Sequence, residues 1–282
     1  MVAQAKPLIF CADDYAASGA ISRGIVALAW AGRLTAVSVM TLAPRWAQDA
    51  PALCELRGQI DVGLHLDWTS RFACAAGHGL PLKRALLRAA LGGIGRNRAR
   101  AVIERQLDAF EAQWRAPPDH VDGHQHVQQL AGIREALVET LTRRYPAQAQ
   151  DLCRGPWLRI SRVGAGQTGI KGRVITALGA QALERLAQRA GLPYAPELWG
   201  VYDFAGGAAR YAALLQDWLA HAPARAVLMC HPADSLGEAA DDWADPIAPA
   251  RQWEFDVLSG AAFGQMLARL GVVPARGSAV LK

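Results

Sequence analysis

The sequence predicts an α/β fold in which a parallel sheet closes into an incomplete, TIM-like (β/α) barrel of about seven strands, with residues 1–282 forming a single domain. Short apolar runs rich in Val, Ile and Leu alternate with longer Ala/Leu/Arg segments of helical period along the chain. Such alternation is typical of a parallel sheet with helices outside it. Seven or eight units in this length suit a barrel, and a doubly wound open sheet is the alternative.

The predicted elements can be placed along the chain. Strands are expected at residues 7–13, 35–42, 61–67, 119–125, 157–161, 199–204 and 226–232, with a short last one at 271–275. Helices are expected at residues 22–32, 46–57, 98–114, 133–145, 171–191, 207–222 and 259–271. A Gly-rich, basic segment at about 69–98 resembles an insertion, and an Asp/Ala/Pro-rich stretch at about 232–254 a long loop. Long loops in compact domains are often lids or binding loops.

Composition excludes several classes of protein. The five cysteines have no regular spacing and no CxxC pair, which argues against a disulfide framework or a thiolate zinc site and favours a reducing, cytoplasmic location. The N-terminal apolar run is too brief for a secretory signal, and no run reaches the roughly 18 residues of a membrane span. Neither GxGxxG nor GxxxxGK[ST] occurs, so nucleotide binding is not supported.

The formal net charge is +5, and arginine is concentrated at residues 82–106, which hold 6 of the 26 arginines. This segment contains no aromatic residue, so the pattern expected of a nucleic-acid surface is missing. A solvated helical hairpin is the ordinary explanation of such a charge run. A basic, partly apolar surface that touches an anionic membrane is a further option.

Four predicted strands carry carboxylates and imidazoles near their carboxyl ends: Asp13 and Asp14; His65 and Asp67; His120, Asp122, His124 and His126; and His231 with Asp234. The strand ends of a parallel barrel open on one side, where active sites lie. In the third group the titratable residues alternate with Val121, Gly123 and Gln125, so a continuous strand would turn all four to one face.

Each of these residues alone has a simpler explanation, since Asp14 could cap a helix, His65 could be a core histidine and His231 a turn residue. Burying them together costs several kcal/mol unless a cation neutralises the carboxylates. Imidazole and carboxylate are ligands of zinc and similar metals. The cluster therefore predicts one divalent metal, zinc or magnesium, with open positions for water. A free Asp and a His beside it would move protons in metal-assisted hydrolysis.

Five segments, "LIFCADDYAASGAISRGIVALAWAGRLTAVSVMT", "VGLHLDWT", "DHVDGHQHVQQLAGI", "GVYDF" and "LMCHPAD", resemble carbohydrate deacetylases of the YdjC type, also called the ChbG/HpnK family. The resemblance runs in order from about Leu8 to Val272. It implies an incomplete TIM-like barrel and metal-dependent removal of an N-acetyl group from an amino sugar, either an oligosaccharide or a sugar-bearing lipid. Departures at Cys11, Tyr15, Ala16 and Gln128 touch the margins of the motifs and put substrate specificity in question.

The resemblance also implies residue roles. It makes Asp14, His65 and His124 the metal ligands, Asp13 the base and His231 the general acid. The division between the two aspartates rests on analogy with other metal-dependent polysaccharide deacetylases. We expect a neighbouring carboxylate to raise the pKa of His231, Asp234 being a weak candidate.

Further residues are interpreted around this centre. His126 would orient a ligand or meet substrate, while Asp122 and His120 would lie deeper and support a ligand imidazole. Arg159 would hold the base carboxylate or bind substrate, and Trp68 would stack on a sugar ring or belong to the core.

Other functions stay open at this point. A metal-dependent phosphoesterase would use similar ligands, and a catalytically degenerate sugar-binding barrel is a non-enzymatic alternative. The expected partner is an N-acetylated sugar or glycolipid, with no nucleic acid. Peripheral membrane contact and a homodimer are both compatible with the sequence.

Overall fold

The structure is a computed structural model that describes residues 5–146, 155–164, 167, 170–235 and 245–281. Within these residues the chain forms one sheet of nine strands. The strands are β1 Lys6–Tyr15, β2 Ala36–Val39, β3 Asp61–Leu66, β4 His120–Gly123, β5 Trp157–Arg159, β6 Tyr194–Ala195, β7 Leu198–Trp199, β8 Val227–Cys230 and β9 Val272–Pro274.

The sheet is parallel and nearly closed. Its order is β6-β5-β4-β3-β2-β1-β8-β7, and β9 pairs with the first residues of β1 beside this path. Only Pro196 and Glu197 separate β6, which pairs with β5, from β7, which pairs with β8. A bridge between Val163 and Leu198 adds a further contact near the junction. The predicted incomplete TIM-like barrel in a single domain is therefore confirmed.

Helices connect and cover the strands. They are α1 Gly19–Trp30, α2 Trp46–Cys54, α3 Arg71–Ala75, α4 Leu82–Ala90, α5 Arg96–Trp114, α6 Ile133–Arg144, α7 Ile170–Ala177, α8 Ala180–Ala190, α9 Gly207–His221, α10 Ala248–Ser259, α11 Ala261–Arg269 and α12 Gly277–Val280. Residues His124–Gln129 form a 3₁₀ segment. None of the helices in the described ranges combines the length and the apolar character needed to cross a membrane.

Helix α1 shows how local sequence sets these elements. The Ser18 side chain accepts a hydrogen bond from the Ile21 backbone N–H and so caps the first turn. Ile21, Ile25 and Leu28 recur at helical spacing and are buried. Strands β1 and β3 are buried on both faces, as expected in a sheet covered by helices.

Several predicted boundaries are wrong. The helix expected at 171–191 is two helices, because the chain turns at Gly179 with φ of +127°, where a Cβ would lie 2.3 Å from the Gln129 carbonyl oxygen. The strand expected at 199–204 is only Leu198–Trp199. The segment at 69–98 contains α3, α4 and the start of α5. The stretch expected to be a loop at 232–254 is helical from Ala248, and residues 236–244 of it lie outside the described residues.

Gly63 in β3 is a packing constraint beneath the strand ends. A Cβ there would lie 2.4 Å from ring atoms of His120, which is fully buried and stacked 4.4 Å from Trp157. Because this ring is held on its other face, Gly63→Ala should lower the free energy of unfolding by about 1–3 kcal/mol in chemical denaturation. Gly93→Ala is the matched control, since its nearest heavy atom would be 3.4 Å away. Equal stability of the two variants would contradict the prediction.

Candidate functional site

The end of β1 presents two neighbouring carboxylates to one pocket. Regular strand alternation would send Asp13 and Asp14 to opposite faces. The pairing of β1 with β2 shifts register between Ala12 and Tyr15, and Asp14 has a left-handed φ of 68°. Asp tolerates this region better than most residues. The irregularity re-aims one side chain, as bulges beside functional sites do, so that both aspartates line the pocket.

The polar segment from His120 to His126 differs from its prediction. Strand β4 ends at Gly123, and Gln125 and His126 both have left-handed φ, 53° and 63°. The expected single strand face from residue 120 to 126 is therefore wrong beyond Gly123. The 3₁₀ turn nevertheless brings His124 and His126 to the pocket, by a tight left-handed turn and not by strand alternation.

The residues expected to be metal ligands come together. His124 Nδ1 lies 3.0 Å and His65 Nε2 lies 3.5 Å from Asp14 Oδ1. One ligand atom from each of these three residues lies within 4.8 Å of the others. His65 donates from Nδ1 to Asp122 Oδ1 at 2.6 Å, which leaves its Nε2 directed at the aspartates. A carboxylate with two imidazoles is a donor set that could hold zinc or a similar divalent metal.

Among the described residues, two other groups of side chains are close enough to bind a metal: Asp13 with His65 and Asp122, and Cys11 with His120 and Asp122. The Arg159 guanidinium lies among them, 2.7 Å from Asp13, 3.0 Å from Asp122 and 3.7 Å from the Cys11 sulfur. A fixed positive charge there disfavours a second cation. The donor atoms of Asp14, His65 and His124 are therefore the better candidate for a metal site.

The buried acidic groups at the site outnumber the buried basic groups. Three buried carboxylates, Asp13, Asp14 and Asp122, face two buried guanidinium groups, Arg159 and Arg251. Burial opposes protonation of His65, but Asp13 and Asp122 outweigh burial and raise its pKa to about 10. The protein groups alone thus need a third positive charge at His65, which a bound cation would supply, and the donor set fits a metal on this ground too.

Asp13 is held by a two-pronged ion pair. Arg159 donates to Asp13 Oδ1 at 2.7 Å and to Oδ2 at 2.8 Å. Burial raises the pKa of this carboxyl, but the guanidinium more than offsets burial, and the pKa is lowered. Arg159 has no exposed surface and its charged partners are Asp13 and Asp122. Its assignment as a substrate-binding residue is corrected accordingly: it holds the carboxylate, the other role that the sequence allowed.

Sequence reasoning missed Arg251 on α10. Its Nη2 donates to Asp14 Oδ2 at 2.7 Å and its Nε donates to Asp245 at 2.5 Å. Burial opposes ionisation of Asp14, but Arg251 and His124 outweigh it and hold the pKa of Asp14 well below its usual range. Arg251 lies in the stretch expected to be a loop and belongs to no motif, so only its position in space reveals the contact.

His231 also lines the pocket and lies close to the aspartates, with Nε2 3.9 Å from Asp13 Oδ2. Its backbone N–H donates to buried Glu254 at 2.5 Å. Burial lowers the pKa of His231 to about 4, although Asp13 and Asp14 oppose the shift. The expected rise in this pKa is therefore wrong. Asp234, the carboxylate suggested by sequence, makes a backbone contact with Ala20 of α1.

The remaining predicted residues divide between pocket and core. His126 lines the pocket with Nδ1 3.0 Å from Ser161 Oγ. Trp68 is 4% exposed and packs edge-to-face on His78, so the structure places it in the core and corrects its assignment as a substrate-binding residue. His120 is fully buried and contacts Ser38 at 3.0 Å, which keeps it behind the pocket, as expected.

The pocket has a volume of about 580 Å³, within the range of small-molecule sites. Its lining includes the two aspartates with His65, His124 and His231. Apolar side chains also line it, among them Phe72 of α3, Leu82 and Leu86 of α4, Val174 of α7 and Leu178 directly after α7. The pocket thus combines charged groups with apolar contact surface.

Comparison with known proteins identifies relatives. Residues 7–269 match the family described as YdjC-like protein. A carbohydrate deacetylase of Mus musculus is 32% identical over 146 residues, which cover 48% of this chain and 46% of that protein. A carbohydrate deacetylase of Homo sapiens is 28% identical over 146 residues, covering 48% and 45%. The match therefore spans about half the length of these curated relatives.

Two solved structures share the fold. One, from Enterococcus faecalis V583, is named for cellobiose-phosphate cleavage; it is 18% identical, covers 99% of this chain and 100% of its own, and superposes with a TM-score of 0.69. An uncharacterized protein from Agrobacterium tumefaciens C58 is 12% identical, covers 99% and 91%, and has a TM-score of 0.55. At these identities the likeness extends to the fold alone.

The lowered pKa of His231 predicts how stability changes with pH. Because the folded protein resists protonation of this ring, the stabilisation is complete above the ordinary pKa of 6.5 and is lost as the pH falls towards about 4. With a chelator present, wild type should lose up to about 3 kcal/mol relative to His231→Asn across this window. Unfolding measured from pH 7.5 to 4 tests this, and parallel curves for the two proteins would contradict it.

Proposed function

We propose that this chain, which belongs to the YdjC-like family, is a metal-dependent hydrolase that removes the acetyl group from an N-acetylated amino sugar. The proposal rests on one observation: the pocket holds two neighbouring aspartates whose carboxylates have different partners. Asp14 lies beside His65 and His124, while Asp13 is fastened by Arg159. The curated relatives named carbohydrate deacetylases support the choice of reaction.

In this proposal Asp14, His65 and His124 hold one divalent metal, zinc or magnesium. Such a metal lowers the pKa of a bound water and polarises an amide carbonyl. Asp122 orients His65 through its 2.6 Å hydrogen bond. Arg251 occupies Asp14 Oδ2, which leaves Oδ1, the oxygen nearest both imidazoles, as the ligand atom.

Asp13 acts as the base. Arg159 binds both oxygens and keeps the group ionised and fixed in direction. An ionised carboxylate has about four lone-pair sites, so these two hydrogen bonds leave room for a proton from water. Orientation is the main contribution of Arg159, because a rotating carboxylate would lose its alignment with the attacking water.

His231 delivers a proton to the leaving nitrogen, since an amide does not expel an amine anion near neutral pH. Its low pKa means that the ring begins the reaction neutral. Asp13 Oδ2 lies 3.9 Å from its Nε2, so a proton taken from water by Asp13 has a short path to His231 and then to the amine. His231 thus works as a relay between base and leaving group.

The direct test of function is release of acetate. Purified protein should liberate acetate from N-acetylated chito-oligosaccharides or N-acetylated glycolipids, and a chelator should abolish the reaction. The same samples should release no phosphate from sugar phosphates. Chelator-sensitive phosphate release without acetate would replace this proposal with the phosphoesterase alternative.

Replacement of a proposed ligand should remove the metal. In His124→Ala one of three donors is lost, and the affinity for zinc measured by calorimetry should fall by at least about tenfold. His126→Ala is the matched control: it alters the same 3₁₀ turn and the same pocket, but its Nδ1 contacts Ser161. Unchanged zinc affinity in His124→Ala, or equal losses in both variants, would count against the ligand assignment.

The two aspartates should respond differently to the same change. Asp13→Asn should keep the metal and lose about 10²–10⁴-fold in turnover, because general-base catalysis contributes on that scale. Asp14→Asn should lose the metal itself. Metal content by elemental analysis and kcat on one substrate separate the two effects. A metal-free Asp13→Asn protein would reverse the assigned roles.

A further inference from the structure

Helix α4 has two sides with different surroundings. Its inner side is packed into the protein through Ala85 and Ala89, and Leu82 and Leu86 line the pocket. On the outer side Leu87 is 60% exposed, and Leu91 at the helix end is 77% exposed. These two are the most exposed large apolar side chains among the described residues. Exposed apolar side chains that lie next to one another and are rimmed by polar residues are typical of interaction surfaces.

Basic residues surround these leucines in a regular pattern. Lys83, Leu87 and Leu91 follow one another at intervals of four and therefore share one row along the helix. Arg84 and Arg88 occupy the adjacent row and are also exposed. We call these five residues the α4 face. It is an apolar strip with ammonium and guanidinium groups beside it.

The surrounding chain strengthens the positive charge. No Asp or Glu occurs between Asp67 and Glu104, whereas this interval contains six arginines and one lysine. Arg96 and Arg100 contact Glu139 of α6. Those two arginines belong to α5, whereas the basic residues of α4 lie in a stretch whose neighbours in sequence offer no carboxylate. The α4 face therefore has a local excess of positive charge.

We propose that the α4 face docks this protein on an anionic lipid bilayer, with the pocket opening beside the contact. Exposed leucines next to Lys and Arg match the two parts of such a surface, the acyl boundary and the anionic headgroups. Nucleic acid fits less well, because leucines would occupy the middle of the contact and residues 82–106 contain no aromatic side chain to stack on bases.

The pocket lies directly beside the α4 face. Leu86 lines the pocket and its neighbour Leu87 is exposed on the α4 face, so the bilayer contact and the pocket wall lie on different sides of the same helical turn. Val174 of α7 is both 51% exposed and part of the pocket lining. A bilayer against α4 would meet an apolar rim at the entrance. This docking does not depend on the proposed reaction.

Sedimentation with vesicles tests the proposal. Wild type should bind vesicles of phosphatidylcholine with phosphatidylglycerol, bind phosphatidylcholine alone at least about tenfold more weakly, and be released by salt. Lys83→Gln/Arg84→Gln/Arg88→Gln and, separately, Leu87→Ser/Leu91→Ser should each lose about tenfold or more in affinity. All five positions are exposed, so the thermal midpoints should stay at the wild-type value and show that the variants fold.

Matched controls remove exposed positive charges or an exposed apolar side chain outside α4. Arg185→Gln/Arg189→Gln/Arg225→Gln removes three exposed positive charges outside α4, and Trp30→Ser removes an apolar side chain that is 54% exposed on α1. Both should bind anionic vesicles as wild type does. Equal losses in control and α4 variants would overturn the proposal. So would wild-type binding by the leucine variant, or binding to duplex DNA or RNA in place of vesicles. A protein that docks but releases no acetate would refute the proposed reaction alone.

Discussion

The site depends on one constraint: three carboxylates are buried together at the mouth of the barrel and must be neutralised there. Arg159 on β5 binds Asp13 on β1 and contacts Asp122 on β4, so one guanidinium ties three strands together. Removal of one partner from a buried pair typically costs about 3–5 kcal/mol, because the other charge is left uncompensated. The same ion pair that fastens the proposed base thus also helps to fix the strand ends that carry the site.

The two aspartates of β1 are neighbours in sequence, but different partners bind them, and their proposed roles differ for this reason. Asp13 gives both oxygens to Arg159, whereas Asp14 gives one oxygen to Arg251 and presents the other to two imidazoles. The left-handed backbone at Asp14 makes this division available, because it turns both side chains to the pocket. A local irregularity of one strand therefore underlies both the proposed metal site and the proposed base.

Residue polarity and hydrophobic period were enough to predict part of the site, whereas contacts between distant residues were missed. The convergence of Asp14, His65 and His124 was predictable, because parallel strands place their carboxyl ends on one side. The left-handed turn was not, since the two residues that adopt it, Gln125 and His126, are not of the types, Gly, Asn and Asp, that most readily adopt this conformation. Arg251 was missed because it meets Asp14 across 237 positions of sequence. The predicted shift in the pKa of His231 had the wrong direction. Burial lowers this pKa by more than the nearby carboxylates raise it, and local sequence does not reveal burial.

We expect the proposed cation at Asp14 and the two imidazoles, because Arg159 already places a positive charge between Asp13 and Asp122. A crystal soaked in zinc and measured at the zinc absorption edge locates the ion directly. We expect one anomalous peak about 2.0–2.2 Å from Asp14 Oδ1 and from one ring nitrogen each of His65 and His124, with Arg159 still bound to Asp13. A peak between Asp13 and Asp122, with Arg159 displaced, would contradict it.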